Sequence, residues 1–162
     1  MMRMLDAGED PLFVLRRLII FASEDIGNAD PRALELVVAA DAAFRRIGMP
    51  EGLHAMAQAC TYLASAPKSN ASYEAFTRAR ADVEAHGALP VPKKLRNAPT
   101  REMKERGLGE GYRYPHSEGG FAPGETYLPD ALVGRRYYEP RRSGLETKIA
   151  EHLDKLRSKK PE

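Results

Sequence analysis

Glu24 and Asp25 are adjacent carboxylates in the stretch FASEDIGNADP (21–31). Paired carboxylates can hold a metal, exchange protons or bind basic groups. The metal reading fails on spacing. A calcium loop needs oxygen ligands at alternate positions and a late glutamate, and Asp25, Asn28, Asp30 and Glu35 do not complete that pattern. Ser65-Ala-Pro-Lys68 matches the S-x-x-K acylating pair, but its usual companions Ser-Asp-Asn and Lys-Thr-Gly are absent from the chain. Pro67 also puts that serine at a helix end, and a helix-to-helix turn with Asn70 as the next cap explains Pro-Lys-Ser-Asn. The glycines of Gly107-Leu-Gly109-Glu-Gly111 lack the Lys-Ser/Thr of a phosphate loop and read as turn residues. His54, His86, His116 and His152 are scattered, with no H-x-x-x-H pair and no cysteine nearby. His116 reads as a hydrogen-bonding loop residue rather than a general base. No catalytic, cofactor-binding or metal-ligating residue is therefore assigned.

The two acids close an apolar segment, LFVLRRLIIFA (12–22), at the end where a helix dipole is negative. Arg16 and Glu24 share one helical face, two turns apart, and so do Arg17 and Asp25. They stand too far apart to pair along the helix. Charges buried in an apolar helix must be paired. A structural polar network is therefore expected, linking Arg16, Arg17, Glu24 and Asp25 to the basic connector (Lys93, Lys94, Arg96) or to a neighbouring subunit. The alternative is that all four sit at a solvated rim.

A second cluster interleaves tyrosine with arginine: Tyr112-Arg113-Tyr114, Arg135-Arg136-Tyr137-Tyr138 and Arg141-Arg142. Such a mix stacks on bases and contacts phosphates, and it also builds protein interfaces. Three readings fit: an arm wrapped on its own domain, a subunit interface, or a nucleic-acid surface. The residues at issue are Tyr112, Tyr114, Arg135, Arg136, Tyr137, Tyr138, Arg141 and Arg142.

The elements that position these residues are helical, and the fold class is all-α. Asp10-Pro11 pairs an N-cap with proline at the first helical position, opening a central helix. Asp30-Pro31 repeats the signal, and its helix runs to Gly48. Pro50 opens a third helix with Leu53, Met56, Ala57, Cys60, Leu63 and Ala64 on its core face, ending before Pro67. Asn70 caps a fourth, with Tyr73, Phe76, Arg80 and Val83 on one side and Gly87 after it. Residues 1–87 thus form a helical core. Residues 88–143 form a connector and a long Gly/Pro/Tyr-rich arm, interrupted by a short helix from Thr100 to Arg106. A last helix spans 144–158 with Leu145, Ile149, Leu153 and Leu156 on one seam, and the tail RSKKPE should fray. Nearly forty residues of irregular chain in a compact domain are uncommon and tend to be functional or disordered. Five of the seven tyrosines lie there, which argues for order.

The 162 residues suit one domain, 43% apolar and 30% charged. No apolar run approaches a membrane span and no signal peptide is visible, so a cytoplasmic location and no membrane partner are expected. A lone cysteine, Cys60, excludes an internal disulfide and reads as core. Net charge is +2, but residues 1–92 carry 9 Lys/Arg against 12 Asp/Glu, and residues 93–162 carry 16 against 11. An acidic partner is therefore expected at the C-terminal half.

The blocks Gly8-Glu9-Asp10-Pro11, RRLIIFASEDIGNADP (16–31), APKSN (66–70), VPKKLRNAPT (91–100), GYRYPH (111–116) and YLPDALVGRRYYEP (127–140) carry a resemblance over about residues 3–156. In this order they resemble the C-terminal region of the replication-associated recombination protein A (RarA, or MgsA) family, related to the Werner-helicase-interacting ATPase. The resemblance implies a collar-like helical domain that joins an AAA+, clamp-loader-like ATPase into a homotetramer acting at stalled replication forks. It implies that ATP and magnesium belong to an upstream domain absent here, so that this chain needs no cofactor. Expected partners are further copies of itself, DNA through the parent protein, and replication proteins, in the nucleoid. The opening MLDAGEDP starts partway through a pattern, as in an excised domain.

Overall fold

In the computed structural model, which describes residues 1–158, the chain forms two compact units. One comprises Met1–Arg78 and Tyr137–Ala150, the other, among the described residues, Ala79–Arg136 and residues 151–158. The helical core, arm and last helix expected as consecutive blocks are thus cut differently. Among the described residues there are helices and turns but no strand, so the chain is all-α.

The first unit holds α1 (Met2–Asp6), α2 (Pro11–Phe21), α3 (Arg32–Ile47), α4 (Gly52–Ser65) and the start of α5 (Ala71–His86). The start of α2 follows its caps: the Asp10 carboxylate accepts from the Leu12 N–H at 3.0 Å, with Pro11 in the first turn. Gly48 ends α3 at φ 72°, a conformation that costs glycine little. The core is a helical stripe from each element: Val14 and Leu15 on α2; Ala33, Val37, Ala40 and Phe44 on α3; Met56, Ala59 and Leu63 on α4. Each large apolar side chain so buried stabilises the unit by about 1.5–3 kcal/mol.

The buried stripe of α4 is Gly52, Met56, Ala59 and Leu63, rotated from the expected face. Ala57 and Ala64 are exposed, and Cys60 is only half-buried. The reason is local: a Cβ on Gly52 would lie 2.8 Å from the Phe44 ring, so this glycine must face α3. The helix α2 is less central than its composition implies, since Phe13 is 38% exposed.

Beyond Phe21 the chain widens into a π-helical turn, Ala22–Ile26, then tightens into a 3₁₀ turn, Gly27–Ala29. Ala22 and Ile26 are buried. Glu24 and Asp25 ride on this wide turn. It is followed in space by the α4–α5 link: the Ser69 N–H donates to the Asp25 carbonyl at 2.8 Å.

The second unit contains the end of α5, the connector with a 3₁₀ turn at Lys93–Leu95, α6 (Arg101–Glu105), and the arm with 3₁₀ turns at Pro115–Glu118 and Asp130–Leu132. Thr100 caps α6 as expected, accepting from the Met103 N–H at 3.3 Å. Polar contacts hold the arm. Lys94 pairs with Glu125, Arg113 Nε donates to Glu118 at 2.9 Å, and Arg113 Nη1 donates to the Pro123 carbonyl at 2.9 Å. The last helix, α7, is Glu146–Ser158. Of the tail expected to fray, Arg157 and Ser158 are helical and 159–162 lie outside the described residues.

Candidate functional site

The most concentrated polar chemistry in the first unit converges on Glu146, which is 0% exposed. Its Oε2 accepts from the Ser69 hydroxyl at 2.5 Å and from the Arg141 N–H at 2.8 Å. Its Oε1 accepts from the Tyr138 hydroxyl at 2.7 Å. The Asn28 amide donates to the Tyr138 oxygen at 3.1 Å, and the Ala71 N–H donates to Ser69 Oγ at 3.2 Å. Ser69, one residue before the expected cap Asn70, therefore supplies a side-chain acceptor at the start of α5. Next door, the Leu145 N–H donates to the Ala29 carbonyl at 2.8 Å. Residues 137–146 thus form a strap clasped onto the 26–29 turn and the α4–α5 link. A buried carboxylate needs this number of donors to offset its desolvation. Among the described residues, no buried side-chain nitrogen or oxygen lacks a partner.

Electrostatics follow the geometry. Burial pushes the Tyr138 phenol up to about 12, with Glu146 adding to the rise and the Asn28 amide opposing it. Nearby, burial pushes the Asp30 carboxyl up. The Tyr62 hydroxyl, at 2.6 Å, and Arg32 outweigh that and hold Asp30 below its ordinary value. In the second unit the Lys94 ammonium lowers Glu125 against the opposing effect of burial. The groups of the clasp are hydrogen-bonded to one another.

The polar network expected at Arg16, Arg17, Glu24 and Asp25 is not drawn together within this chain. Arg16, Arg17 and Asp25 are exposed, Glu24 is half-buried, and among the described residues none of the four makes a salt bridge. The arginines stand on α2 and the acids on the π-turn that follows it. Of the connector residues, Lys94 is taken by Glu125, and Arg96 Nε donates to the Val91 carbonyl at 2.7 Å.

The interleaved arm residues separate into distinct roles. Tyr138 belongs to the clasp and Tyr137 is half-buried. Arg141 pairs with Glu74 at 2.6 Å, and Arg135 pairs with Asp82 at 3.3 Å. Arg136 and Arg142 are exposed. Tyr112 and Tyr114 are 49% and 56% exposed, and the Tyr114 ring lies 5.2 Å from that of His116.

The Ser65/Lys68 pair does not face itself. The Ser65 hydroxyl donates back to Thr61 and Tyr62 carbonyls, and Lys68 Nζ donates to the Leu63 carbonyl at 2.7 Å. Sequence reasoning missed Glu146 as a functional anchor. A glutamate in the first turn of an amphipathic helix looks solvated, and its donors stand 5, 8 and 77 positions away. The only local signal was three turn-forming residues, Pro140, Ser143 and Gly144, just before it.

The family described as "MgsA AAA+ ATPase C terminal" matches residues 1–157. Replication-associated recombination protein A of Coxiella burnetii is 56% identical over 156 residues, covering 96% of this chain and 36% of that protein. The Escherichia coli K12 protein of the same name is 53% identical over 152 residues, covering 93% and 34%. That of Bacillus subtilis is 37% identical over 159 residues, covering 98% and 38%. The chain spans about a third of the length of these curated relatives.

Proposed function

Since the chain belongs to the MgsA AAA+ ATPase C-terminal family, we propose that it joins copies of a replication-associated recombination ATPase into a homotetramer. The observation that carries this reading is α5. Over Ala71–His86 it buries a single side chain, Ala71, whereas α3, of equal length, buries four. Its Tyr73, Phe76 and Val83 stand 49%, 64% and 63% exposed at helical spacing. A helix of this length gains little stability alone and depends on packing an apolar face. Exposed apolar stripes of this kind mark protein interfaces.

In this reading the chain itself performs no chemistry. ATP and magnesium are handled by the part of the protein that precedes it in the longer relatives, and the assembled ATPase acts on DNA in the cytoplasm together with other replication proteins. Support for the inert role is the clasp, whose carboxylate and hydroxyls are mutually saturated.

Light scattering tests the assembly. The chain should run as four copies at micromolar concentration. Phe76→Ser should weaken association by about 2 kcal/mol, a typical cost at an interface hot spot, and shift the mass toward smaller species with an unchanged helical circular dichroism signal. A parent chain that is monomeric at tens of micromolar would remove the proposal for this domain.

A further inference from the structure

We propose that two copies of this chain pair through α2 and the π-turn that follows it, antiparallel about a twofold axis passing beside Ile20. This contact rests on the assembly proposed above and supplies its second joint. A tetramer of dihedral symmetry needs two different self-complementary surfaces, and α5 offers one. The α2 surface carries charges that this chain leaves unmatched. Arg16, Arg17 and Asp25 are exposed, Glu24 is half-buried, and among the described residues none of them has an ion pair.

The order of these charges selects the occupant. Two cations precede two anions, and the midpoints of Arg16–Glu24 and Arg17–Asp25 fall at Ile20 and Phe21. A copy rotated by half a turn about that point sets its acids opposite these arginines and its arginines opposite these acids. Parallel pairing would set like charges together, which costs affinity. A partner of one charge sign would satisfy only half of the patch. The spacing keeps both pairs on one face. An α-helix has about 3.6 residues per turn, so each arginine lies slightly more than two turns from its acid. The wider turn at Ala22–Ile26 brings that angle back toward two full turns. Between the charges the surface is apolar. Phe13, 38% exposed, shares with Leu12, Ile19 and Ile20 a groove of about 520 Å³ that Arg16 also lines. The other charged groups of the groove are occupied: Arg45 holds Asp41 at 2.7 Å, and Asp10 caps α2. The apolar centre carries the contact, and the charges set its orientation and register.

Charge reversal tests this by light scattering on the intact chain, at about 0.1 M salt, where charges are felt over about 10 Å. The double variant Arg16→Glu/Arg17→Glu makes the patch wholly acidic, and Glu24→Arg/Asp25→Arg makes it wholly basic. Each alone should run at half the parent mass, as a pair joined through α5. Mixed in equal amounts, the two should recover the parent mass, because each then meets its opposite. Misfolded variants would not recover it. The inference is overturned if either variant keeps the parent mass, or if the mixture stays at half. The two joints fail separately. A parent that is dimeric, indifferent to Phe76→Ser and split into monomers by Arg16→Glu/Arg17→Glu, would keep this surface and discard α5. A parent that is monomeric at tens of micromolar would discard both.

Discussion

At the scale of the residue, Glu146 and Tyr138 set the terms. A buried carboxylate facing three donors is costly to disturb, since removing one donor leaves charge less satisfied. Tyr138→Phe should cost about 1.5–3 kcal/mol at neutral pH, read as a lower urea midpoint. The same variant has a second signature at high pH. Folding raises the phenol to about 12, above the ordinary value of about 10 in the unfolded chain. Between those values the folded state holds a proton that the unfolded state has lost. Stability is therefore fully present below about pH 10 and falls as pH rises toward 12. Tyr138→Phe should flatten that part of the stability curve; an equal slope in parent and variant would contradict the assignment. None of this was legible from composition. Glu24 and Asp25 are conspicuous in the sequence as adjacent acids, while Glu146 has the sequence context of an ordinary first-turn acid. What distinguishes them is depth, and depth depends on segments far apart in sequence.

At the scale of the element, the helices were legible because their ends are chemically marked. Asp10-Pro11, Gly48 and Pro67 each forbid or favour a conformation within one residue. The π-turn was not legible, because ASEDI carries no breaker and burying Ala22 and Ile26 on one face suits an ordinary α-helix as well. The buried face of α4 departs from its apolar periodicity for a related reason: periodicity counts apolar residues, whereas Gly52 faces the core because only glycine clears Phe44. The strap shows the same dependence on close approach. Gly144 has φ 53°, and a Cβ there would be driven into the Ala29 carbonyl and the Pro67 ring. Gly144→Ala should destabilise the first unit by more than about 1 kcal/mol, because strain and overlap add. A thermal midpoint equal to that of the parent would show that the strap does not seat as described.

At the scale of the whole molecule, the family was legible because ordered blocks span nearly the whole chain, and the all-α class because four strong helix starts precede any other pattern. The arm was legible only as irregular and ordered. Its tyrosines gave no hint of which would seal a clasp and which would face solvent, since both uses need the same side chain. The proposed assembly should be indifferent to ionic strength. An association through apolar α5 side chains should persist at molar salt, where charge attraction is screened within about 3 Å. Dissociation of the assembly by salt alone would assign the joint to ion pairs instead.

The clasp also bears on the order of events during synthesis. Asn28, Ser69, Tyr138 and Glu146 are spread over most of the chain, yet they complete one small knot. A nascent polypeptide leaving the ribosome can build the bundle of α2, α3 and α4 early from neighbouring segments. It cannot finish that bundle until the last helix emerges, because its closing carboxylate is encoded near the end. Premature truncation before Glu146 would release a half-closed intermediate with Ser69 and Asn28 unsatisfied, the kind of species that quality-control proteases recognise.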